Sequence, residues 1–580
     1  MSNLIQDAKD QVLQLTLNAM HAAEKKGILK ADAAIKAGVE IPKDPANGDY
    51  TTTFALAAAK AMGMKPRDLA QALLEEMDLK DSYFETVEIA GPGFLNFRLS
   101  PAWYSEVLRT IREEGAAYGR SDFLQGKRYM VEFVSANPTG PMHMGNARGG
   151  VLGDTLAAVL EAAGARVWRE FYVNDAGNQI EKFAASLEVR YLQILLGEDA
   201  VAFPEDGYHG DDIRELAQDF YEEYGASYQD TPTEERHRAL AKFGLSRNIP
   251  KMQSDLKRYG ITYDQWFFES SLHESGYVEQ TVAKLSEGGW TYEKDGALWL
   301  RTSQILAENL RKAGKKQEDI DKLEAKDDVL RRANGFYTYF AADIAYHRNK
   351  LEERGFDKVV DVWGADHHGH VARIKGAMDA LGLNGTERLD VVLMQLVRLM
   401  RDGEVVRMSK RTGKAISLRD LLDEIPVDAA RYFFNSKPDS PMDFDLGLAV
   451  RQDSENPVYY VQYAHARICT LLANMRAEGV QLPEDAVDAA LLQTEQEKEL
   501  LRQLAALTEE IKGAAMAYDP SRINRYVMEL AARFHRFYTA CRIKGEESAL
   551  AEARLQLADC TRQVIATCLR LVGCQAPERM

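Results

Sequence analysis

The sequence of 580 residues is poor in cysteine and in long apolar runs, and each shortage excludes a class of protein. Its 5 cysteines include no Cys-x-x-Cys pair. A disulfide scaffold is therefore excluded, and we expect reduced, mostly buried thiols. No stretch approaches about 18 uncharged apolar residues, so no transmembrane helix is predicted. The first residues also lack the basic and apolar segments of a signal peptide, and we expect a cytoplasmic protein.

The chain also lacks an excess of positive charge. With 72 basic and 89 acidic residues its net charge is −17, which argues against non-specific coating of nucleic acid. A local basic surface is still compatible with this balance, and the segment 398–419 holds far more cations than carboxylates. With 17 prolines and 41 glycines the composition is neither collagen-like nor of low complexity, and the length suggests three to four domains.

Patterning divides the chain into three predicted domains. Residues 1–118 show helical periodicity, two strands around Gly91-Pro92-Gly93 and a helix from Pro101 to Glu114, which together indicate an α+β N-terminal module. Residues 119–450 begin with a strand, a glycine-rich turn, a helix and another strand. This βαβ unit predicts an α/β Rossmann-like parallel-sheet catalytic domain. Residues 451–580 contain several amphipathic helices and predict an all-α C-terminal bundle.

The middle domain contains a long interruption. A highly charged, helical stretch at about 185–330 is interpreted as an insertion into the parallel sheet. Strand-like pieces return at residues 335–347, 358–368 and 389–400.

The turn His143-Met144-Gly145-Asn146 is the most informative part of the sequence. It lies where a parallel strand leads into a helix, and the N–H groups and dipole at a helix N-terminus attract phosphate. Gly145 lets a ligand approach the backbone, while His143 and Asn146 can donate hydrogen bonds to phosphate oxygens. The alternative to phosphate binding is a structural role, in which His143 only satisfies hydrogen bonds within the strand-to-helix turn.

A second element is the cationic segment from Arg407 to Lys414. Such a loop can close over a polyphosphate and offset charge on a departing pyrophosphate. It lacks the GxxxxGK[ST] spacing of a P-loop, and by itself a run of this kind is more often a solvated surface loop.

A third element is Gly364-Ala365-Asp366-His367-His368-Gly369-His370, which follows an apolar strand. A zinc site is one interpretation, although no HExxH sequence and no second Cys/His cluster completes a ligand set. We favour a polar sheet edge that faces a ligand crevice. We therefore predict no structural zinc and no metal ligand from the protein.

Two carboxylates stand where burial makes charge costly: Glu132 in an apolar strand, and Asp343 after FYTYFAA. One explanation is an internal salt bridge to an arginine. The other is a pocket for a cationic substrate group, because two carboxylates and a tyrosine suit the five donors of a planar guanidinium.

Taken in order, these elements resemble a class I aminoacyl-tRNA synthetase. The segment Ala136-Asn137-Pro138-Thr139-Gly140-Pro141-Met142-His143-Met144-Gly145-Asn146 looks like the HIGH motif of that class, and Arg407-Met408-Ser409-Lys410-Arg411 looks like its KMSKS loop. The segments SANPTGPMHMGN, FYVNDAGNQ, TYFAADIAYH, GADHHGH, YVQYAHAR and APERM resemble the bacterial arginyl-tRNA synthetase family, over essentially the whole chain. Two positions depart from the motifs: Asn146 replaces a histidine but keeps a donor, and Arg407 replaces a lysine but keeps the charge.

The resemblance implies ATP-dependent attachment of L-arginine to tRNA(Arg) through an arginyl-adenylate, with AMP and diphosphate released and Mg²⁺ accompanying ATP. It implies catalytic roles for His143, Asn146 and Lys410. The residues that it implies for ATP binding are Pro141, His143, Gly145, Asn146, Met408, Ser409 and Lys410. Those that it implies for arginine binding are Glu132, Asn137, Tyr339, Asp343 and His367.

For tRNA, the resemblance implies that the C-terminal bundle reads the anticodon and that the N-terminal module contacts the tRNA elbow. The implied tRNA contacts are Tyr460, Tyr463, Tyr538 and Met580, and core packing at helical spacing is the alternative for the first two. A monomer without a membrane partner is also implied. Since a pocket with unpaired carboxylates rejects analogues that lack the guanidinium, we expect no editing activity.

Three rival interpretations have to be weighed against this one. A class I synthetase for another amino acid disagrees with the paired carboxylates. A catalytically silent RNA-binding paralogue is expected to lose Asn137, His143 or Lys410, and all three are present. A metallohydrolase built on the histidine cluster would need a ligand set that the sequence does not complete.

Overall fold

The N-terminal part of the computed structural model, which describes residues 2–29, 37–406, 416–437, 440–483 and 487–580, is an α+β module. Its elements are α1 (Leu4–Lys25), β1 (Val39–Glu40), β2 (Tyr50–Thr52), α2 (Phe54–Met62), α3 (Pro66–Glu75), β3 (Phe84–Ala90), β4 (Phe94–Leu99) and α4 (Pro101–Glu114). The strands form an antiparallel sheet in the order β1-β2-β4-β3. This arrangement confirms the predicted hairpin at residues 91–93 and the predicted helix that starts at Pro101.

The middle part of the chain builds the largest sheet. Its elements are β5 (Arg128–Glu132), α5 (Met144–Ala162), β6 (Arg166–Val173), α6 (Asn178–Leu196), α7 (Asp211–Tyr224), α8 (Thr233–Arg258), β7 (Gln265–Phe268), α9 (Ser270–Glu274), α10 (Tyr277–Glu287), β8 (Thr291–Lys294), β9 (Ala297–Leu300), α11 (Thr302–Lys312), α12 (Gln317–Asp321), β10 (Asp328–Arg331), α13 (Tyr339–Arg348), β11 (Lys358–Gly364), α14 (His368–Ala380), α15 (Gly385–Arg388), β12 (Leu389–Met394), β13 (Val397–Arg401), β14 (Glu404–Val405), α16 (Leu418–Glu424), α17 (Val427–Asn435), β15 (Met442–Asp445) and α18 (Leu446–Ala449).

Five of these strands form a parallel sheet in the order β12-β11-β5-β6-β7. The chain leaves β5 toward β6 on one side and later returns to β11 on the other side. The strand order therefore reverses between β5 and β11, and such a switch point opens a crevice at the carboxyl ends of the strands. The predicted βαβ unit and the Rossmann-like parallel sheet are confirmed.

The structure corrects the strand predicted at residues 335–347, because Tyr339–Arg348 is the helix α13. The side chain of Thr338 caps this helix by accepting a hydrogen bond from the N–H of Ala341. Most residues of α13 are buried, including Phe340 and Ile344. A helix that is buried on nearly all sides lacks a clear 3.6-residue alternation of apolar and polar residues, so its sequence resembles that of a buried strand.

Two further predictions needed refinement. The insertion predicted to be helical also contributes β7 to the parallel sheet, and β8, β9 and β10 form a small antiparallel sheet of their own. The strand-like piece at residues 389–400 is two strands in different sheets, since β12 joins the parallel sheet and β13 pairs with β14 and β15.

The C-terminal part is helical, as predicted, with α19 (Pro457–Ala477), α20 (Glu495–Ala505), α21 (Leu507–Ala517), α22 (Ser521–Ala540) and α23 (Ser548–Leu571). The chain forms two compact units: Met1–Phe123, Asp453–Ala517 and Arg522–Met580 make one, and Leu124–Gln452 with Tyr518–Ser521 makes the other. Within the first unit, the hydroxyl of Tyr118 donates to the carbonyl of Leu504 at 3.0 Å.

Among the described residues, no helix has both the length and the apolar character needed to cross a membrane. Four of the five cysteines are buried and Cys469 is half-buried, which confirms the prediction of mostly buried thiols.

Candidate active site

The turn between β5 and α5 carries the residues of the HIGH-like segment. His143 is the N-cap of α5, and its N–H donates to the side-chain oxygen of Asn146 at 2.9 Å. The turn begins with Val134 and Ser135 at φ values of 71° and 41°. Positive φ is strained for a β-branched residue, and strain of this kind concentrates at functional sites.

The start of α5 is open to a ligand. Pro141, His143 and Gly145 are exposed, and a side chain built on Gly145 would meet no atom within 4 Å. The first turn of a helix presents N–H groups and a positive dipole end, which together suit an anionic group. The residues present therefore fit the phosphates of ATP at this helix end.

A cavity of about 380 Å³ opens at the carboxyl edge of the parallel sheet, a volume within the usual range of small-molecule sites. Of the predicted site residues it gathers Glu132, Asn146, Asp343 and His367. The others that line it are Val134, Ser135, Gly149, Tyr172, Tyr346, His347, Val362, Trp363, Gly364, Asp366, His370 and Met394. The cavity thus joins the HIGH-like turn, α13 and the histidine cluster.

Glu132 forms an internal salt bridge and also lines the cavity. Its side chain is buried, and Oε2 lies 2.5 Å from Nζ of Lys350, so it forms an internal salt bridge with a lysine rather than an arginine. It also lines the cavity, and Oε1 accepts a hydrogen bond from the hydroxyl of Ser135 at 2.8 Å. Burial raises the pKa of Glu132, and Lys350 opposes that rise.

Asp343 contributes a second carboxylate to the cavity. Its Oδ2 lies 3.1 Å from Nε2 of His370, and the side chain is 38% exposed. The ring of His370 packs against Trp363 and Phe340. Asp343 is therefore held in place from one side and open to the cavity on the other.

Tyr339 and Asn137 are not among the described residues that line this cavity. Tyr339 is 43% exposed and lines a neighbouring cavity of about 590 Å³, where its hydroxyl accepts the N–H of Asn178 at 2.9 Å. Asn137 is exposed in the turn that leads to α5. Three of the five residues predicted to bind arginine, Glu132, Asp343 and His367, therefore line one cavity, and the other two do not.

The histidine cluster divides its side chains between different surroundings. His367 and His370 line the cavity, whereas His368 does not. Among the described residues, no group of three His, Cys, Asp or Glu side chains is arranged to hold a metal ion.

The KMSKS-like residues Met408, Ser409 and Lys410 lie outside the described residues, but the flanking segments are described. Before them, the N–H of Val406 donates to the carbonyl of Leu399 at 2.8 Å. After them, the N–H of Leu418 donates to the carbonyl of Met142 at 2.9 Å. The chain therefore pairs with the HIGH-like turn at Ile416 and Leu418, where the described residues resume after the KMSKS-like segment.

The predicted tRNA contacts lie in the other compact unit and form an aromatic surface. The ring of Tyr460 lies 5.0 Å from His535, and the ring of Tyr463 is 6.3 Å from the same histidine. Arg467 covers Tyr538 at 4.4 Å from the ring centre. Tyr463 is 41% exposed, so it is available for stacking by a base.

Met580 ends a tail that is fixed to α19. The side chain of Gln462 donates to the carbonyl of Gln575 at 2.9 Å, and Nδ1 of His465 lies 2.9 Å from the carbonyl oxygen of Pro577. Met580 itself is 51% exposed.

The sequence analysis did not identify a cluster of buried polar groups beside the cavity. Lys350 and Asp361 are 0% exposed and lie 2.9 Å apart, and His347 lies 2.8 Å from Asp361. A signal was present, because Asp361 interrupts the apolar run Val359 to Val362 as Glu132 interrupts β5.

Comparisons with known families cover nearly the whole chain. The family described as "tRNA synthetases class I (R), catalytic domain" matches residues 111–445, which is more than half of the chain. The "Arginyl tRNA synthetase N terminal domain" matches residues 10–99, and the "DALR anticodon binding domain" matches residues 461–580.

Individual relatives agree with these families. The arginine–tRNA ligase of Caldanaerobacter subterraneus is 51% identical over 582 aligned residues, and that of Ruminiclostridium cellulolyticum is 50% identical, each covering 100% of both chains. The structure of Thermus thermophilus arginyl-tRNA synthetase superimposes with a TM-score of 0.71 at 22% identity, covering 98% of this chain and 99% of that one. At that identity the structural likeness concerns the fold alone.

Proposed function

This chain belongs to the arginyl-tRNA synthetase family, and we propose that the cavity at the carboxyl edge of its parallel sheet is where arginine and ATP react. The chain attaches arginine to tRNA(Arg) with ATP as the energy source. The observation that carries the assignment to this cavity is the presence of two carboxylates, Glu132 and Asp343, beside the open N-terminus of α5.

In the first step, the carboxylate of arginine attacks the α-phosphorus of ATP. A bond forms between the carboxylate oxygen and the phosphorus, the bond to the bridging oxygen breaks, and pyrophosphate leaves. In the second step, a hydroxyl of the terminal adenosine of tRNA attacks the activated carbonyl, and AMP leaves. Both steps depend mainly on positioning and on stabilisation of charge.

For arginine, Asp343 and Glu132 supply the negative charge that a guanidinium or an ammonium group requires. Two carboxylates can accept several charge-assisted hydrogen bonds, and both line the same cavity. His367 lies at the cavity wall, and we assign Asn137 and Tyr339 to the rim of the arginine site.

For ATP, His143 and Asn146 hold the phosphates at the start of α5, with Pro141 and Gly145 shaping the approach. Lys410, supported by Met408 and Ser409, would stabilise charge on the departing pyrophosphate from the segment after β14. Mg²⁺ bound to ATP would neutralise part of the same charge.

For tRNA, we assign the rings of Tyr460, Tyr463 and Tyr538 to stacking with unpaired anticodon bases, and we assign Met580 to a further contact with the tRNA. Exposed aromatic rings and a nearby arginine are the usual surface for single-stranded bases. We assign residues 1–118 to contact with the tRNA elbow, 119–450 to catalysis and 451–580 to the anticodon. We further propose that the protein is a monomer, that it acts in the cytoplasm, and that it has no editing activity.

The proposal is tested by charging a tRNA(Arg) transcript with labelled arginine, ATP and Mg²⁺. Asp343→Asn should raise the arginine KM by about tenfold to a hundredfold, because a charge-assisted hydrogen bond contributes roughly 1.5–3 kcal/mol. Asp230→Asn, an exposed aspartate in the insertion, is the matched control and should leave KM unchanged. Charging by the unmodified chain that is insensitive to Asp343→Asn would overturn the assignment of this cavity.

A further inference from the structure

Three buried carboxylates form a row across the parallel sheet. Asp361 on β11 pairs in register with Glu132 on β5, and Glu132 pairs in register with Glu170 on β6. Their exposed fractions are 0%, 7% and 0%. Three negative charges at neighbouring positions in a dry interior are unstable unless cations compensate them.

One helix supplies the groups that compensate this row. Tyr346 and His347 lie in α13, and the chain continues through a π-helical turn, Asn349–Glu353, that contains Lys350 and is followed by Arg354. Turns of this kind are rare and occur frequently at functional sites. Here the π-helical turn places Lys350 against the central strands β5 and β11, where it contacts Glu132 and Asp361.

Glu170 has partners of its own. Its two oxygens accept from both terminal nitrogens of Arg354, at 2.5 and 2.7 Å, and from the hydroxyl of Tyr346 at 2.6 Å. The indole N–H of Trp168 adds a further bond at 3.1 Å. This carboxylate is structurally satisfied and does not line the cavity.

Glu132 and Asp361, in contrast, share one cation. Nζ of Lys350 lies 2.5 Å from Glu132 and 2.9 Å from Asp361. His347 binds the other oxygen of Asp361, and its Nδ1 contacts the backbone carbonyl of Asp343 at 2.7 Å. Of the two carboxylates that share Lys350, Glu132 alone lines the cavity.

From this arrangement we propose that Lys350 is a positioning residue for arginine recognition, which acts by holding Glu132 ionised and aimed into the cavity. The inference rests on the proposed function, in which Glu132 faces the cationic substrate. Asp361 holds Lys350 through an ion pair, and His347, which lines the cavity, holds Asp361 in turn. Lys350 and Asp361 do not line the cavity, so the substrate does not need to touch either of them.

Burial explains why a cation is needed at this position. Burial raises the pKa of Glu132, and Lys350 is the strongest influence in the opposite direction. Without Lys350, the pKa of Glu132 would rise further, which favours the neutral acid and weakens its attraction for a cation. The charged and titratable groups that face Glu132 from the surrounding elements are Lys350, His347, Asp361, Glu170, Tyr172, Tyr263 and Tyr346.

The test compares arginine and ATP kinetics of the full chain with Lys350→Met. We expect the arginine KM to rise by about tenfold or more, with the ATP KM changed less than about threefold, since Glu132 faces only arginine. The arginine KM of the variant should fall more steeply with rising pH than that of the unmodified chain, because the loss of Lys350 raises the pKa of Glu132 and leaves more of the carboxyl group to ionise. Lys350→Arg should restore most of the affinity.

A double-mutant cycle separates positioning from a general structural role. If Lys350 acts through Glu132, Lys350→Met combined with Glu132→Gln should bind arginine no worse than Glu132→Gln alone. If Lys350→Met unfolds the chain, Lys350→Met with Asp361→Asn removes one charge of each sign and should fold while keeping the raised arginine KM.

Two results would overturn the inference. One is equal increases in the KM values for arginine and ATP without pH dependence, and the other is full additivity with Glu132→Gln. Failure of the unmodified chain to charge tRNA(Arg) is distinguishable from both, because it would overturn the proposed function itself.

Discussion

Gly145 lies in the first turn of α5, with open space where a side chain would project. Eight residues further along the same helix, a side chain built on Gly153 would lie 2.1 Å from Cγ of Phe133. The difference between these two glycines separates a position that faces open space from one that faces the packed protein interior. Ligand binding and fold stability should therefore respond differently to the same substitution along this helix.

Gly145→Ala should leave the thermal midpoint unchanged or slightly higher, because alanine favours a helix by up to about 1 kcal/mol over glycine. The ATP KM should rise about tenfold, which corresponds to about 1.4 kcal/mol, since the added methyl group occupies the path of the phosphates. Gly153→Ala is the contrasting variant, because its methyl group would lie 2.1 Å from Cγ of Phe133 and should destabilise the fold. An unchanged ATP KM in Gly145→Ala would contradict phosphate binding at this helix end.

At the scale of elements, Arg148 ties α5 to the segments around β13. Its guanidinium is buried and donates to the carbonyls of Gln395 at 2.7 Å and Ser440 at 2.8 Å, and also to that of Lys437. These carbonyls belong to chain segments on both sides of the KMSKS-like region. The side chain of Arg148 thus connects the helix α5 to the segments that precede β13 and β15.

Arg148→Met should lower stability by about 2–3 kcal/mol, because buried carbonyls lose charge-assisted hydrogen bonds. The measurement is the urea midpoint of unfolding, with the exposed Arg166→Met as the control that should not shift it. Equal midpoints for the two variants would show that Arg148 does not fasten these elements together.

The C-terminal tail and α19 should respond to acid. Burial lowers the pKa of His465, which contacts the carbonyl of Pro577. A histidine whose pKa is lower in the folded state takes up more protons when unfolded, so stability is lost as the pH falls below the unfolded value of about 6.5. Unfolding followed between pH 7.5 and 5 should therefore show a falling midpoint, and His465→Gln should flatten that dependence. If the midpoint of the unmodified chain stays constant over this range, the lowered pKa of His465 in the folded state is contradicted.

The elements that were predicted correctly are those with local signals. The hairpin before α4 has a Gly-Pro-Gly turn, α4 begins with a proline, and the start of α5 follows a glycine-rich turn. The helix α13 was mistaken for a strand because burial on all sides erased its periodicity. Lys350 was missed because its partner Glu132 is 218 residues away, and no local pattern encodes a salt bridge over that distance.

At the scale of the whole molecule, the sequence was enough to predict the fold class and the order of the domains. It predicted the residues of the candidate site only in part. Motif residues His143 and Asn146 stand at the start of a helix, where sequence patterns are strong. The cavity around them depends on strands β5 and β11, which are distant in the chain and meet only in the folded sheet. The net charge of −17 also shows that an acidic protein can carry out a function on a polyanion, because binding depends on local surfaces.

The measurement that tests the central claim most directly compares arginine with citrulline, its uncharged counterpart, in charging of tRNA(Arg). A site that reads a cationic group through Glu132 and Asp343 loses its charge-assisted hydrogen bonds to the substrate when the charge is missing, and discrimination of about 10⁴-fold in kcat/KM is expected. Charging of arginine with rejection of citrulline at that level is the predicted result. Charging of both within about tenfold of each other would contradict the carboxylate site.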